Sequence, residues 1–156
     1  MKWSFVAFLV SAFASSAASA HWQYTKWGMQ PAEVVAASEG KVRLSPGRPE
    51  QKEDGLEVGG EGAHAVGSSG LPVTFYFNAG GLELVKLTAE GDGVCYALNH
   101  RLAGEYGTPF AMDSNPVLLR KTWKDQDRGN QLEYLRIGDT CWLKYRPLSL
   151  IPKSEL

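Results

Sequence analysis

The sequence predicts an α+β fold in which two helices pack on one face of an antiparallel sheet of about five strands. Three observations support this prediction. Two segments carry apolar residues at helical spacing, five short runs alternate apolar and polar residues, and turn residues separate the runs. This order is typical of domains whose helices gather on one side of an antiparallel sheet. It also suggests two similar α-β-β halves.

The helices are predicted from their end signals and their apolar stripes. Pro31 suits the first turn of a short helix, where its missing N–H costs nothing, and Gly40 ends that helix. Asp92 is a suitable N-cap for a second helix over residues 93–106. The apolar stripe of the second helix consists of Cys95, Leu98, Leu102 and Tyr106.

Alternation of apolar and polar residues predicts five strands and one long loop. The strands are expected at residues 73–77, 82–88, 118–123, 131–137 and 141–145. Residues 78–81 supply a hairpin turn between the first two. Residues 45–71 contain seven glycines and two prolines. This composition favours a long flexible loop.

The first twenty residues have the layout of a cleavable signal peptide. Lys2 precedes an apolar run, and Ala18-Ser19-Ala20 fits the small-residue rule for cleavage after Ala20. Residues 21–156 would then form one domain in the periplasm or outside the cell. We expect no integral membrane segment after cleavage, because no later stretch is long and apolar enough. The net charge of −1 and the lack of a basic stripe argue against a nucleic-acid partner.

The two cysteines, Cys95 and Cys141, are predicted to form a disulfide. Outside the cytosol two thiols in a small domain usually pair. Cys95 lies on the apolar stripe of the second helix, and Cys141 shares a strand face with Leu143 and Tyr145. The alternative is a reactive thiol, since Cys95 lies in the first turn of a helix, where a thiol pKa is lowered.

No arrangement of residues predicts catalysis. The carboxylates are scattered, and Ser69 lacks the strand–turn–helix context of a nucleophile. We therefore predict no catalytic residue and no cofactor. A non-catalytic module that binds an envelope protein or a small ligand is favoured, and a hydrolase with an unrecognised site stays open.

Copper binding is the alternative function. Cleavage after Ala20 would make His21 the N-terminal residue, which offers its amine and its imidazole together to a metal. This arrangement resembles the histidine brace of lytic polysaccharide monooxygenases. A second histidine is needed, either His64 or His100.

The aromatic residues Trp22, Tyr24 and Trp27 form a possible binding surface. Packing on the core is the commoner use of tryptophan and is favoured here.

Residues 25–34, which include Trp27 of this cluster, resemble a segment found in a family of small exported bacterial domains of unknown function. In these domains a T-x-W-G-M-x-P-x-E-V segment begins the mature chain, and residues 25–34 carry it here. Residues 75–77 resemble the first hairpin of the family, and residues 106–109 resemble the end of its second helix. The resemblance implies a bacterial envelope location. It implies no activity and no catalytic residues.

The last four residues, 153–156, resemble the endoplasmic-reticulum retrieval signal, with Ser154 in place of its aspartate. In a eukaryote this segment would hold the protein in that lumen.

Overall fold

The computed structural model describes residues 21–45, 47 and 49–150. The expected signal peptide, its cleavage site and the retrieval-like segment lie outside the described residues. The helices are α1 (Pro31–Ala37) and α2 (Asp92–Tyr106). The strands are β1 (His21–Trp22), β2 (Thr25–Lys26), β3 (Val42–Leu44), β4 (Glu57–Val66), β5 (Ser69–Asn78), β6 (Gly81–Glu90), β7 (Ala111–Ser114), β8 (Leu118–Asp125), β9 (Asn130–Ile137) and β10 (Thr140–Pro147).

Strands β3 to β10 form one antiparallel sheet of eight strands, and β1 and β2 form a separate hairpin. The strand order in the large sheet is β3-β4-β5-β6-β10-β9-β8-β7. Each helix is followed by four strands, and the two meanders meet where β6 pairs with β10. The predicted sheet of about five strands beneath two helices was therefore wrong, and so were the α-β-β halves. The five predicted strands are the contiguous centre of a larger sheet.

The missing strands lie toward the edges of the sheet, where the sequence signal is weak. All four residues of β7 are exposed, and two of the three residues of β3 are exposed. A strand with one neighbour and no covered face needs no alternation of apolar and polar residues. Both strands are only three or four residues long, so they carry no alternating pattern that the sequence could reveal.

The segment 45–71, predicted to be a long flexible loop, contains all of β4 and the start of β5. Four of its seven glycines lie where another part of the chain passes close to the backbone, and the other three have open space around them. A Cβ on Gly59 would lie 2.6 Å from the ring of Phe77, and one on Gly62 would collide with the carbonyl oxygen of Lys41. These glycines permit close packing in a strand. A composition typical of a linker therefore belongs to ordered structure.

The main hydrophobic core lies on one face of the sheet. Val34 of α1 and Leu98 and Leu102 of α2 are buried in it. The strands contribute alternate residues, as a half-buried antiparallel sheet requires. Those from the central strands include Val73, Phe75, Leu87, Leu132, Tyr134 and Leu143. Neither described helix is long and apolar enough to cross a membrane.

A disulfide between Cys95 and Cys141 fixes α2 on this core, which confirms the predicted pairing. Both cysteines are fully buried, and their Cα atoms are 5.8 Å apart. Nearby, the hydroxyl of Tyr134 donates a hydrogen bond of 3.0 Å to the carbonyl oxygen of Cys95. The first turn of α2 is thus held to both β9 and β10.

The opposite face of the sheet carries a compact charge network. Lys86 and Lys144 donate to the carboxylate of Glu53 at 2.5 and 2.6 Å. Burial alone would raise the pKa of Glu53, but the two ammonium groups outweigh it and hold that pKa below its usual value. The ammonium group of Lys86 also lies 5.2 Å from the ring centroid of Tyr76. On this face positive and negative groups compensate one another.

Removing the disulfide should weaken the fold measurably. The cysteines are 46 residues apart in the sequence, so replacing both with alanine should lower the free energy of unfolding by roughly 2–4 kcal/mol. Urea unfolding of the oxidised protein and of the double variant measures this difference. Reductant should lower the urea midpoint of the wild-type protein and leave that of the double variant unchanged. Equal midpoints for the oxidised wild-type protein and the double variant would contradict a stabilising disulfide.

Candidate functional site

A cavity of about 310 Å³ opens between α2, the β1–β2 hairpin and the core face of the sheet. Its lining residues come from distant parts of the chain. Apolar and aromatic residues form the deeper lining, and charged residues of α2 and of the β8–β9 turn lie at the rim. The deeper lining includes Trp22, Leu87, Leu98, Leu102, Leu143 and Tyr145.

Trp22 joins the hairpin to the core and lines the cavity. It is 3% exposed, and its ring centroid lies 5.1–6.0 Å from those of Tyr24, His64, Phe75 and Tyr145. Trp22 is therefore a core residue and does not form an exposed binding surface. Tyr24 is half-buried against the same core.

Asn130 anchors the hairpin to the sheet. Its side chain is buried, accepts a hydrogen bond of 2.8 Å from the indole of Trp27, and donates one of 2.8 Å to the carbonyl oxygen of His21. The hydroxyl of Thr25 closes the hairpin by donating to the carbonyl oxygen of Trp22 at 2.7 Å. Trp27, proposed with Trp22 and Tyr24 as a surface, thus also serves to fix the cavity wall.

The chain after the hairpin crosses the β5–β6 turn at very short range. The amide of Gly28 donates to the carbonyl oxygen of Leu82, and the amide of Leu82 donates to that of Met29. Gly81 has φ +109°, and a Cβ there would collide with the backbone of Gly28. Only glycine combines that dihedral angle with this approach. These backbone contacts therefore fix the segment that follows the hairpin against the sheet.

Two arginines at the cavity differ in their surroundings. Arg128 donates to Asp125 at 3.1 Å and lies 3.7 Å from a carboxylate oxygen of Glu105. The guanidinium of Arg101, exposed on α2, makes neither an ion pair nor a hydrogen bond with any residue that the structure describes. Arg128 thus pairs with both acidic residues of the rim, and Arg101 pairs with neither.

Two phenols face the cavity as neutral hydrogen-bonding groups. Burial raises the pKa of Tyr145 far above its usual value, and Tyr106 and Glu105 add to this effect. The Trp22 indole opposes the shift by donating to the Tyr145 oxygen. Burial, with the negative charge of Glu105, raises the pKa of Tyr106 to about 12. Both phenols therefore keep their protons at neutral pH.

The three histidines have different positions. His21 and His64 line the cavity, and Nδ1 of His21 is buried without a hydrogen-bond partner. His100 is exposed on α2, with its ring centroid 6.2 Å from that of Tyr96, and does not line the cavity. Within residues 21–45, 47 and 49–150, no three His, Cys, Asp or Glu side chains converge as a metal site.

Burial lowers the pKa of His64 below its usual value, and the charges of Arg101 and Lys41 lower it further. Its imidazole is therefore neutral at neutral pH. This places a group that can donate or accept a hydrogen bond beside the free guanidinium of Arg101.

Sequence reasoning missed Arg101, Asn130 and the role of Tyr145. Tyr145 was expected only as a residue on the same strand face as Cys141. The cavity is formed by contacts between residues more than 100 positions apart, such as those of Asn130 with the hairpin. No local pattern encodes such contacts.

No family model, curated protein or solved structure gives a significant match to this chain. The resemblance to small exported bacterial domains therefore stays a prediction, and the site is interpreted from its geometry.

The lowered pKa of His64 predicts that stability falls with acidification. His64 binds a proton more readily in the unfolded chain than in the folded one. The contribution of its neutral imidazole to the free energy of unfolding is therefore complete above the unfolded pKa of about 6.5 and is lost as the pH falls toward the folded pKa. Urea unfolding from about pH 7.5 to about pH 5 should show this decline, and it should be shallower in His64→Gln. Equal slopes in the two proteins would contradict the assignment.

Proposed function

We propose that this chain is an exported binding protein that holds a small ligand in the cavity between α2, the β1–β2 hairpin and the sheet. The observation that carries the proposal is the lining, in which apolar and aromatic side chains and an equal number of polar or charged side chains converge on one enclosed space. Small-molecule sites typically combine these features. Tyr145 and Arg101 are polar groups that a ligand could engage.

The rigidity of the walls supports a binding role. The disulfide fixes α2, and Asn130 fixes the hairpin by two hydrogen bonds. A site that is already formed avoids the entropic cost of ordering loops on binding.

The choice of side chains supports binding over catalysis. The described lining contains no serine, threonine or cysteine that could act as a nucleophile. The carboxylates of Glu105 and Asp125 are engaged by Arg128, so neither is a free base at the rim.

Export is part of the proposal. It is supported by the predicted signal peptide and by the buried disulfide, since disulfides persist in oxidising compartments. The periplasm is the proposed compartment, because the resemblance implies a bacterial envelope.

Copper binding is a second candidate, favoured by one observation. Nδ1 of His21 is buried without a partner in the cavity that His64 also lines. Removal of residues 1–20 would add the amine of His21 to these two imidazoles. Copper accepts such a set of nitrogen ligands readily.

Native mass spectrometry of the protein purified from the periplasm tests the binding role. We expect a non-covalent adduct that is lost on denaturation. Val66→Trp, a substitution at the half-buried cavity wall, should lose the adduct because the added ring fills the space. Val117→Trp, at an exposed site, should keep it. The proposal fails if no adduct forms and a mixture of small aromatic and aliphatic compounds leaves the Trp22 indole resonance unshifted.

Calorimetric titration with Cu(II) tests the second candidate. Protein beginning at His21 should bind one ion, and adding Gly-Ser-Gly-Ser before His21 should weaken binding by about tenfold or more, because the His21 amine becomes an amide and the new terminal amine is too far from the imidazole to form a compact chelate with it. His64→Ala should weaken binding too, whereas His100→Ala should not. Equal affinity with and without the added residues would exclude a site built on the N-terminus.

A further inference from the structure

We propose that the ligand is a free amphipathic carboxylate, with its anionic head at Arg101 and its apolar chain in a groove between α2 and the β4–β5 hairpin. This inference rests on the proposed function and names the ligand class for the same site.

A second cavity of about 300 Å³ adjoins the first along α2. Three residues line both cavities, so the two spaces share a wall: Val66, Leu98 and Arg101. The second cavity is mainly apolar, with Leu71, Val94 and Ala97 on its sides. Together the two form a groove that is apolar at one end and rich in polar groups at the other.

Arg101 lies where the two cavities adjoin, and its positive charge would attract the anionic head group of the ligand. It has no ionic partner in the described chain, while the rim carboxylates Glu105 and Asp125 face Arg128 instead. The charge of Arg101 reaches into the first cavity, since it lowers the pKa of both His64 and Tyr145. The polar end of the groove holds two arginines and two carboxylates, and Arg101 is the arginine there that no described carboxylate pairs with, so it is the group open to an anionic head.

The chemistry of these groups fits a carboxylate. A guanidinium can donate two parallel hydrogen bonds to a carboxylate, which makes this pairing strong and directional. The neutral phenol of Tyr145 and the imidazole of His64 can add donors beside it. A cation at the same place would meet the charge of Arg101, and a neutral head would leave that charge unpaired.

A free molecule is favoured over a membrane surface. Recognition of anionic membranes uses clusters of several lysines and arginines. Here Arg101 lines the apolar cavity, Arg128 of the adjoining cavity is paired with Asp125 and Glu105, and the chain has a net charge of −1. A ligand with one carboxylate head and one apolar chain can occupy such a groove, whereas a flat anionic membrane surface would make few contacts with it.

Titration with three matched probes tests this inference. We would follow tryptophan fluorescence and heat on adding octanoate, 1-octanol and octylammonium below their aggregation concentrations. Octanoate should bind about tenfold or more tightly than 1-octanol, and octylammonium should bind most weakly, because only the first pairs with the guanidinium.

Arg101→Gln should remove the advantage of octanoate while leaving the affinity for 1-octanol unchanged. Arg120→Gln is the matched control. Arg120 also lies on a regular element, its side chain is 46% exposed, and it pairs with Glu133 on the opposite face of the sheet. It should change neither affinity. Thermal unfolding of both variants checks that they fold.

The outcomes separate the two proposals. If 1-octanol binds as tightly as octanoate and Val66→Trp abolishes both, the cavity is a binding site but the anionic head is wrong. If no probe binds and the exported protein carries no adduct, the proposed function fails as well. Binding to phosphatidylglycerol vesicles that survives Val66→Trp, without octanoate binding, would overturn the free ligand in favour of a membrane surface.

Discussion

Residues 85–90 of β6 pair with residues 140–145 of β10, and in the described chain this is where the two four-stranded meanders are hydrogen-bonded together. The pairing places Leu87 opposite Leu143 and Ala89 opposite Cys141. The first pair forms part of the cavity interior, and Cys141 carries the disulfide to α2. Loss of this one ladder would therefore separate the halves of the sheet, remove the base of the cavity and leave the disulfide joining α2 to a strand that no longer pairs with β6.

The charged side chains on the two faces of the sheet differ in whether they form ion pairs, and this difference determines which charged group is open to a ligand in the cavity. On one face Glu53 is held by two lysines, so the charges compensate locally. On the other face the guanidinium of Arg101 borders the apolar cavity and pairs with no carboxylate among the described residues. An uncompensated charge beside a groove does little for stability, whereas a compensated network ties neighbouring strands together. The asymmetry is what a protein that binds an external anion would show.

How far the sequence predicts the structure depends on how many neighbours an element has. The strand containing Val73, Phe75 and Phe77 alternates cleanly because it is paired on both sides and covered on one face. The apolar stripe of α2 is visible in the sequence because one side of that helix is buried on the core. The cysteine pairing was predicted from the expected oxidising compartment and from the positions of the two cysteines. In contrast, β4 uses glycine for close approach, and the exposed β7 has no buried residue to mark it. The cavity could not be predicted from the sequence, because the hydrogen bonds between Asn130 and the hairpin region join residues that come together only when the chain folds.

The position of β10 has a consequence for the order in which the protein can mature. It is the final strand of the described chain but lies in the middle of the sheet. A chain threaded through a translocon from its N-terminus would present β6 with an open edge until β10 emerged, and open edges recruit other chains. During that interval Cys95 would also lack its partner. A product truncated before residue 140 would thus be prone to two linked errors, strand exchange with another molecule at the edge of β6 and an intermolecular disulfide through Cys95.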